Sequence, residues 1–361
     1  MSDFIIKSTL KEYGVNFVND FSIPLKQAAD EGAFIICDST VFDLYRERIL
    51  SAVVSERLLV VEALETTKTL EKCQEVIELL VERKVRRNQK LIAIGGGVIQ
   101  DVTAFIASIL YRGIGWIFFP TTLLAQGDSC IGSKTSINLG NKKNLLGNFY
   151  PPDSIYIDPS FLETLVVEDI KSGIGEMLHF YYYANSPLIS KLIGNYHTVI
   201  GQQVLLMEYI RESLAIKKSV IEVDEFDKGE RNKFNYGHTF GHALETITGY
   251  GVRHGQAVTV GMDLANYISW QSGLLSKEQF EAMHAQLSVN FPDYNFLSCS
   301  MQDYFEALSK DKKNIGNNLG CILSEGPGRL VRQQIPFDDK LKGTILSYFA
   351  EKFFTSHHLQ T

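Results

Sequence analysis

Three residues far apart in the chain, Glu176, His238 and His254, carry the donor atoms of a catalytic metal site. Two imidazoles and one carboxylate form a ligand set that leaves a coordination position open for water or substrate. The segment GHTFGH adds His242 four residues after His238, so a helix would place both rings on one face. A histidine taken alone is more often an ordinary surface or core residue, so a metal site depends on the convergence of these side chains.

The segment GGGVIQD, from Gly95 to Asp101, follows an apolar run and precedes a helix-like stretch. Glycines at such a turn let backbone N–H groups approach a pyrophosphate at the N-terminus of a helix. The segment lacks the G-x-G-x-x-G spacing, and a tight turn without a ligand explains the three glycines equally well. Asp38 ends an earlier apolar run, where an acidic side chain can bind an adenosine ribose. Together the two features favour a nucleotide site.

A group of cations and amides lies in or beside segments rich in small residues, such as DSCIGSKTSINLGNKKN. Its members are Arg112, Lys134, Lys143, Asn144, Lys217, Arg231 and Asn235. A phosphate or carboxylate substrate requires charge-assisted hydrogen bonds of the kind that Lys and Arg donate. The alternative interpretation is that these residues are ordinary solvated loop cations. For Lys142 and Lys143 the two interpretations are equally good. Arg112 follows an apolar helix-like stretch, which favours a role in binding.

The elements that must position these residues change in type along the chain. Apolar, β-rich runs at 33–37, 57–63, 90–97 and 116–120 alternate with helix-like stretches such as 68–86. This alternation predicts a parallel α/β sheet. Later, helical periodicity dominates, in 168–184, 203–223, 238–248, 256–272 and 277–287. A proline-rich segment, NFYPPDSIYIDPSF, marks the change. We therefore predict an α/β domain over 1–160 and a mostly α-helical domain over 161–361.

The composition argues against several classes of protein. A formal net charge of −7 gives no general basic field for nucleic acid, so an anionic substrate must meet a local cluster of cations. The chain has no run of about 18 uncharged apolar residues and no apolar run after a basic start. We therefore expect neither a membrane span nor a signal peptide. The five cysteines are far apart and form no C-x-x-C motif, so a reducing cytoplasm is the expected compartment.

Seven segments follow one another as they do in dehydroquinate synthases, which are sugar-phosphate cyclases. They are GGGVIQD, YRGIGWIFFPTTLLAQGDSCIGSKTSIN, KKNLLGNFYPP, GIGEMLHF, KKSVIEVDEFDKGER, FNYGHTFGHALE and HGQAV. The most specific are PTTLLAQ with the downstream GSKT, and GHTFGHA followed by HGQAV. The resemblance covers most of residues 30–330. It implies an N-terminal α/β domain that holds NAD and a C-terminal helical domain that holds zinc or cobalt.

The resemblance also implies roles for individual residues, according to their positions in these motifs. The residues that resemble the metal ligands are Glu176, His238 and His254. The residues that resemble the NAD-binding set are Asp38, Glu65, Lys68, Gly95, Gly96, Gly97, Asp101, Thr121, Thr122, Asp128 and Lys143. The residues at catalytic and substrate-binding positions are Lys134, Asn144, His179, Lys217, Arg231, Asn235 and His242. Arg112 resembles an arginine that reaches the partner subunit's site, which implies a homodimer, and Lys312 or Lys313 resembles a late lysine near the phosphate.

The reaction implied by the resemblance converts 3-deoxy-arabino-heptulosonate 7-phosphate to 3-dehydroquinate in the shikimate pathway. Bound NAD oxidises a secondary alcohol, phosphate leaves by elimination, hydride returns, and an intramolecular aldol step closes the carbocycle. NAD is therefore needed but not consumed. In this family the substrate phosphate itself takes the proton, so the cation cluster positions the substrate more than it performs acid–base chemistry.

Some positions depart from the family pattern. His179 stands where the family has a lysine that contacts the substrate, Asp227 where it has a glutamate, and Glu230 where it has an apolar residue. A neutral imidazole can accept a hydrogen bond where an ammonium group cannot. These changes leave open a paralogous cyclase of secondary metabolism, of the valiolone or 2-deoxy-scyllo-inosose synthase type, acting on sedoheptulose 7-phosphate or glucose 6-phosphate.

Other residues favour the heptulosonate. Arg231 and Lys217 belong to the cluster that meets the substrate carboxylate in the dehydroquinate enzymes, and both alternative substrates lack that carboxylate. A metal-dependent polyol dehydrogenase has the same two-domain build and would release NADH as a product. We consider it less favoured, because GSKT, the KKN segment and Arg231 have no role in simple alcohol oxidation.

Overall fold

The computed structural model describes residues 3–140, 142–296 and 299–353, and the chain divides into two compact units. The first unit takes the chain up to Val166 together with Gln203–Asp227. The second takes Val167–Gln202 and the chain from Lys228 onward. The sequence prediction placed 203–227 in the second domain, but this segment packs with the first unit. Ser213 illustrates the reason, because its hydroxyl donates a hydrogen bond to the carbonyl of Gly127 at 2.7 Å.

The strands are β1 (Phe4–Ile6), β2 (Tyr13–Phe17), β3 (Phe34–Asp38), β4 (Leu58–Val61), β5 (Leu91–Gly95), β6 (Trp116–Pro120), β7 (Ile137–Leu139), β8 (Lys142–Leu146), β9 (Ser154–Ile157), β10 (Asn318–Ser324) and β11 (Leu330–Pro336). The α-helices are α1 (Ser22–Asp30), α2 (Ser39–Ala52), α3 (Leu70–Glu82), α4 (Gly97–Ile109), α5 (Val167–Ala184), α6 (Leu188–Gly194), α7 (Tyr196–Gly201), α8 (Leu206–Ile221), α9 (His238–Ile247), α10 (His254–Gln271), α11 (Lys277–Leu287), α12 (Met301–Ser309) and α13 (Asp339–Tyr348).

The first unit is built on a seven-stranded sheet in the order β1-β2-β9-β6-β5-β3-β4. Its neighbouring strands are parallel except for β1 and β2. Every residue of β5 and β6 is buried, as expected of parallel strands covered on both faces. The four apolar runs identified in the sequence correspond to β3, β4, β5 and β6. The predicted parallel sheet is confirmed.

The second unit is organised around α10, in which every residue from Gly255 to Ser269 is buried. Helices α5, α9 and α11 pack against it, so the mostly helical prediction is confirmed. The antiparallel pair β10 and β11 was not predicted. A short apolar run such as that of β10 has no period that distinguishes a buried strand from a buried helical segment. Here β10 is joined to α10 by a 3.0 Å hydrogen bond from Ser324 N to Ser269 Oγ.

Candidate active-site residues

Three neighbouring parallel strands, β3, β5 and β6, end at one edge of the sheet. The predicted NAD residues at or just beyond these ends are Asp38, Gly95, Gly96, Gly97, Thr121 and Thr122. A Cβ added at Gly97 would meet no atom within 4 Å outside its own helix, so the first turn of α4 is open to a ligand. Burial raises the pKa of the Asp38 carboxyl, which also caps α2 by accepting a 2.8 Å hydrogen bond from Thr40 N. The edge therefore offers an acidic group beside the N-terminus of α4.

Lys68, Asp101 and Asn144 form one polar cluster in the first unit. The Nζ atom of Lys68 lies 2.6 Å from Asp101 Oδ2 and 2.6 Å from Asn144 Oδ1. Ser136 donates from its N and Oγ to the two carboxylate oxygens of Asp101, at 3.0 and 3.1 Å. Burial raises the pKa of Asp101, and the charge of Lys68 opposes this effect. The cluster joins two predicted NAD residues to a residue that was predicted to bind substrate.

Asn138 connects this cluster to Glu65. Its Nδ2 donates to Glu65 Oε1 at 2.9 Å, and its Oδ1 accepts from Asn144 N at 2.9 Å. Asn144 has a left-handed φ of 53°, a conformation that asparagine tolerates better than most residues. Asn138 was not predicted as a site residue. Lys143, which neighbours Asn144 on β8, is exposed.

Two aspartates hold two of the predicted substrate-binding cations. Lys217 is buried on α8, and its Nζ lies 2.8 Å from both Oδ1 and the carbonyl oxygen of Asp128. Lys134 is more exposed, and its Nζ lies 2.6 Å from Asp227 Oδ2. Each ammonium group is thus fixed in place by a carboxylate within the first unit. Such pairing also neutralises part of the charge that an anionic substrate would meet.

Arg112 is exposed in a strained turn after α4. Tyr111, Arg112 and Gly113 have successive positive φ values of 53°, 67° and 111°. A left-handed conformation costs a residue with a side chain roughly 1–2 kcal/mol. Tyr111 has a partner, since its hydroxyl donates to the Val85 carbonyl at 3.2 Å. Within the described residues the guanidinium of Arg112 makes no hydrogen bond or ion pair.

Glu176 on α5, His238 at the start of α9 and His254 at the start of α10 come together in the second unit. Their ligand atoms all lie within 4.8 Å of one another. The carboxylate is buried, with Oε2 3.7 Å from His238 Nε2 and Oε1 3.3 Å from His254 Nε2. Ligand atoms about 2.0–2.1 Å from a tetrahedral Zn²⁺ are separated by roughly 3.4 Å. The donor types and their spacing therefore fit a divalent metal.

Glycines next to two of these residues allow their helices to approach closely. A Cβ at Gly175 would collide with the carbonyl oxygen of Gly255, and a Cβ at Gly255 would collide with that of Ser172. The backbones of α5 and α10 thus touch beside Glu176 and His254. A side chain at either glycine would separate the two helices.

Hydrogen bonds at Nδ1, the ring nitrogen that does not face Glu176, orient His238 and His254. His238 Nδ1 lies 3.2 Å from the carbonyl oxygen of Tyr236, and His254 Nδ1 lies 2.9 Å from Glu245 Oε2. Because both partners can only accept, each Nδ1 carries the proton. The lone pair of each Nε2 is then available on the side that faces Glu176.

Burial lowers the pKa of His238 well below its usual range. A positive charge on neighbouring His179, His242, His254 or Lys313 acts in the same direction. His238 is therefore neutral near pH 7, which is the form that binds metals. Between Lys312 and Lys313, it is Lys313 whose charge lowers the pKa of His238. Its own pKa is lowered by burial, although Asp311 lies 3.3 Å away and opposes the shift.

His179 is buried one helical turn after Glu176. Its Nδ1 lies 3.6 Å from Glu176 Oε2, and its ring is perpendicular to that of His238 at 5.4 Å between centroids. The ring also packs on Phe180 and Phe234, at 3.9 and 5.9 Å. His179 thus lies against the metal set on one side and aromatic rings on the other.

The other predicted substrate residues of the second unit lie on two elements. Arg231 and Asn235 belong to the short helical turn Glu230–Asn235, where Arg231 is buried. The Nδ2 of Asn235 donates to the carbonyl of Asn232 at 3.0 Å. His242 is exposed, and its ring stacks on His254 at 5.5 Å. The predicted substrate residues therefore fall into two sets, one in each unit.

Burial makes three of the cysteines poor candidates for catalysis. Burial raises the pKa of Cys73, Cys130 and Cys321 to about 12, so none of these three is a reactive thiolate near pH 7. In the described part of the chain, no helix has both the length and the apolar composition needed to cross a membrane.

Comparison with known proteins shows which family this is. Two family models, 3-dehydroquinate synthase N-terminal and C-terminal, match residues 58–172 and 173–314. The chain is 37% identical to the 3-dehydroquinate synthase of Dictyoglomus thermophilum over 329 residues, which are 90% of this chain and 88% of that protein. It is 34% identical to the 3-dehydroquinate synthase of Helicobacter pylori strain P12, covering 95% and 98% of the two chains. The chain belongs to the 3-dehydroquinate synthase family.

Solved structures agree with this family fold. The 2-epi-5-epi-valiolone synthase of Streptomyces hygroscopicus, solved with NAD⁺ and Zn²⁺ bound, superposes with a TM-score of 0.83 at 25% identity, covering 96% of this chain and 99% of that chain. A 2-deoxy-scyllo-inosose synthase complexed with carbaglucose-6-phosphate, NAD⁺ and Co²⁺ has a TM-score of 0.81 at 24% identity, covering 95% and 98%. The glycerol dehydrogenase of Schizosaccharomyces pombe has a TM-score of 0.62 at 15% identity, covering 100% and 94%, a likeness of fold alone. The predicted family and fold class are confirmed, and the protein is an enzyme of the 3-dehydroquinate synthase family.

Two polar residues that contact the candidate site residues were not predicted from the sequence. They are Glu245, beside His254, and Asn138, beside Asn144. Glu245 follows His238 by seven residues, two helical turns, a spacing that places both on one face of α9. Asn138 lies in the same small-residue segment as Lys134. In both cases the spacing was visible, but nothing in it distinguished these residues from ordinary polar neighbours.

Proposed function

We propose that this member of the 3-dehydroquinate synthase family is an NAD- and metal-dependent cyclase. It would release phosphate from 3-deoxy-arabino-heptulosonate 7-phosphate and close the ring of 3-dehydroquinate. The observation that carries the proposal is the buried carboxylate of Glu176 facing the Nε2 atoms of His238 and His254 at 3.7 and 3.3 Å. The relatives named 3-dehydroquinate synthase, at 37% and 34% identity, support this choice of substrate.

Each unit offers groups for one cofactor. In the first unit, Asp38, the turn Gly95–Gly97 and the Lys68–Asp101 cluster would hold NAD. In the second unit, Glu176 and the two histidines would hold a divalent metal, with Zn²⁺ and Co²⁺ as the candidates, because these ions occupy the solved relatives. When bound, NAD accepts and returns a hydride while the metal polarises the reacting hydroxyl.

Three cationic side chains, those of Lys134, Lys217 and Arg231, would bind the anionic groups of the substrate. Lys134 and Lys217 are fixed by Asp227 and Asp128, so little reorganisation is needed when an anionic group of the substrate binds. Arg231 is buried, and a planar guanidinium can bind a carboxylate through two parallel hydrogen bonds. Such a pair would favour a phosphorylated sugar acid over a sugar phosphate that lacks a carboxylate.

A phosphate-release assay tests the proposal. The purified protein, loaded with NAD and zinc, is incubated with heptulosonate 7-phosphate, sedoheptulose 7-phosphate and glucose 6-phosphate, and the products are identified. We expect release from the heptulosonate together with 3-dehydroquinate. Release from either of the other two sugars alone would replace the proposal with a valiolone- or inosose-type cyclase, the outcome that the buried His179 would favour. His254→Ala is the matched inactive control.

We further propose that the enzyme is a homodimer in which Arg112 acts on the partner subunit's site. Its exposed guanidinium in a strained turn supports this. Co-expression of Arg112→Ala with His254→Ala provides the test, because each hybrid dimer would regain one complete site. Random pairing then restores about a quarter of the parent activity. Activity no higher than that of the separate variants would show that Arg112 acts within its own subunit.

We also propose that the enzyme works in the cytoplasm. Cys73, Cys130 and Cys321 are buried thiols, and unpaired thiols persist in a reducing compartment. Fractionation of cells that express the tagged protein tests this placement. Recovery with the membrane or secreted fraction would contradict it.

A further inference from the structure

We propose that Glu245 is a positioning residue for the metal site, an assignment that rests on the ligands proposed above. Its Oε2 accepts a 2.9 Å hydrogen bond from His254 Nδ1. The opposite nitrogen of that ring, Nε2, lies 3.3 Å from Glu176 Oε1. The two carboxylates thus lie at the two nitrogens of one imidazole. Glu245 would fix the ring's tautomer and orientation and raise the basicity of Nε2.

The backbone fixes this arrangement. Glu245 and His238 lie two turns apart on α9, so a single helix supplies one ligand and the carboxylate that orients another ligand. Helix α10, which begins at His254, packs directly on α9 beside Gly241. A Cβ at Gly241 would lie only 2.9 Å from the carbonyl oxygen of Ala257, so only glycine permits this separation.

Neither the helix dipole nor burial favours a glutamate at this place. Glu245 lies in the last turn of α9, where the helix dipole disfavours an anionic side chain by about 0.3–1 kcal/mol. The side chain is also largely buried, with 11% of its surface exposed, which disfavours an unpartnered carboxylate. Contact with the imidazole N–H of His254 offsets both costs. The hydrogen bond to His254 therefore compensates for an otherwise unfavourable position of the carboxylate.

A direct role as a ligand is the rival interpretation. His242, Glu245 and His254 also place one donor atom each within 4.8 Å of one another, as a second metal position would. The 2.9 Å separation of Glu245 Oε2 and His254 Nδ1 is that of a hydrogen bond, and it is shorter than the roughly 3.4 Å between two ligands of a tetrahedral ion. The distance favours positioning over ligation, and metal stoichiometry distinguishes the two.

The test measures zinc affinity and stoichiometry in the full-length parent, Glu245→Gln and Glu245→Ala by competition with a chelator. Asp263→Asn is the matched control. Asp263 accepts a similar 2.8 Å hydrogen bond from Nδ1 of His284, in the same unit, and neither residue is a proposed ligand. We expect one zinc per chain throughout, with affinity reduced about 10-fold in Glu245→Gln and up to about 100-fold in Glu245→Ala. Asp263→Asn should keep the parent affinity.

A second readout uses Co²⁺, whose visible spectrum reports ligand geometry. We expect the Glu245 variants to shift this spectrum while their circular dichroism in the metal-free state matches the parent. Parent-like zinc affinity and an unshifted spectrum in Glu245→Ala would overturn the assignment. So would two ions per chain in the parent and one in the variant, which would make Glu245 a ligand. A parent that binds no zinc would instead contradict the proposed metal site itself.

Discussion

We consider two variants of Arg112, Arg112→Gly and Arg112→Ala. Comparing them separates the energetic cost of the backbone conformation at this residue from the role of its guanidinium. Both variants lose the same charge. Only glycine relieves the left-handed φ of 67°, which costs other residues roughly 1–2 kcal/mol. The greater freedom of glycine in the unfolded chain offsets about 0.4–1 kcal/mol of that relief. Arg112→Gly should therefore be more stable than Arg112→Ala by about 1 kcal/mol.

Urea unfolding followed by circular dichroism, at equal protein concentration, measures this difference. Steady-state kinetics on the same preparations should show kcat/KM reduced equally in the two variants, because both lack the guanidinium. Equal stability would show that the left-handed turn is not strained in solution. Activity retained in Arg112→Gly but lost in Arg112→Ala would show that the backbone, and not the charge, matters for catalysis.

Four further predictions concern the second unit. His254→Ala should abolish stoichiometric zinc binding and turnover, and zinc retained after dialysis together with activity would remove His254 from the ligand set. Arg231→Ala should lower kcat/KM for the heptulosonate roughly 30-fold or more, because losing one partner of a buried charge pair costs ~2–5 kcal/mol and a decade of rate is about 1.4 kcal/mol. In contrast, His179→Lys should preserve or raise dehydroquinate formation, and a loss of activity on sedoheptulose 7-phosphate or glucose 6-phosphate would mark His179 as a specificity residue. Burial favours neutral His284, but the hydrogen bond and charge of Asp263 outweigh it and raise the pKa of His284. The stabilisation from this pair should be complete below pH about 6.5 and lost as pH rises through the folded-state pKa, so urea unfolding should show the deficit of Asp263→Asn shrinking over that range.

The sheet could be predicted because its central strands are buried on both faces and appear in the sequence as continuous apolar runs. The runs at 90–97 and 116–120 correspond to β5 and β6. Periodicity likewise identified α5, α9, α10 and α11. It does not identify the partner of a helix, and for that reason α8 was predicted in the second domain, whereas it belongs to the first unit. Lys217 on α8 pairs with Asp128 in the first unit.

The types of the candidate metal ligands could be predicted, but their geometry could not. Glu176 and His254 approach each other because Gly175 and Gly255 bring two backbones into contact, and no local spacing encodes that contact. The role inferred for Glu245 depends on a hydrogen bond between two helices, which is visible only in three dimensions. Residues that act through another residue are therefore the ones that sequence reasoning missed.

The number of turnovers per NAD distinguishes a cyclase from a dehydrogenase. The purified protein, with zinc and a limiting amount of NAD, is incubated with excess heptulosonate 7-phosphate, while phosphate, 3-dehydroquinate and NADH absorbance are followed together. A cyclase that oxidises and re-reduces its substrate in one cycle should release phosphate and dehydroquinate in equal amounts, far exceeding the NAD supplied, with no accumulation of NADH. Product limited to one equivalent of NAD, with stoichiometric NADH, would identify a dehydrogenase and contradict the proposed cyclase function.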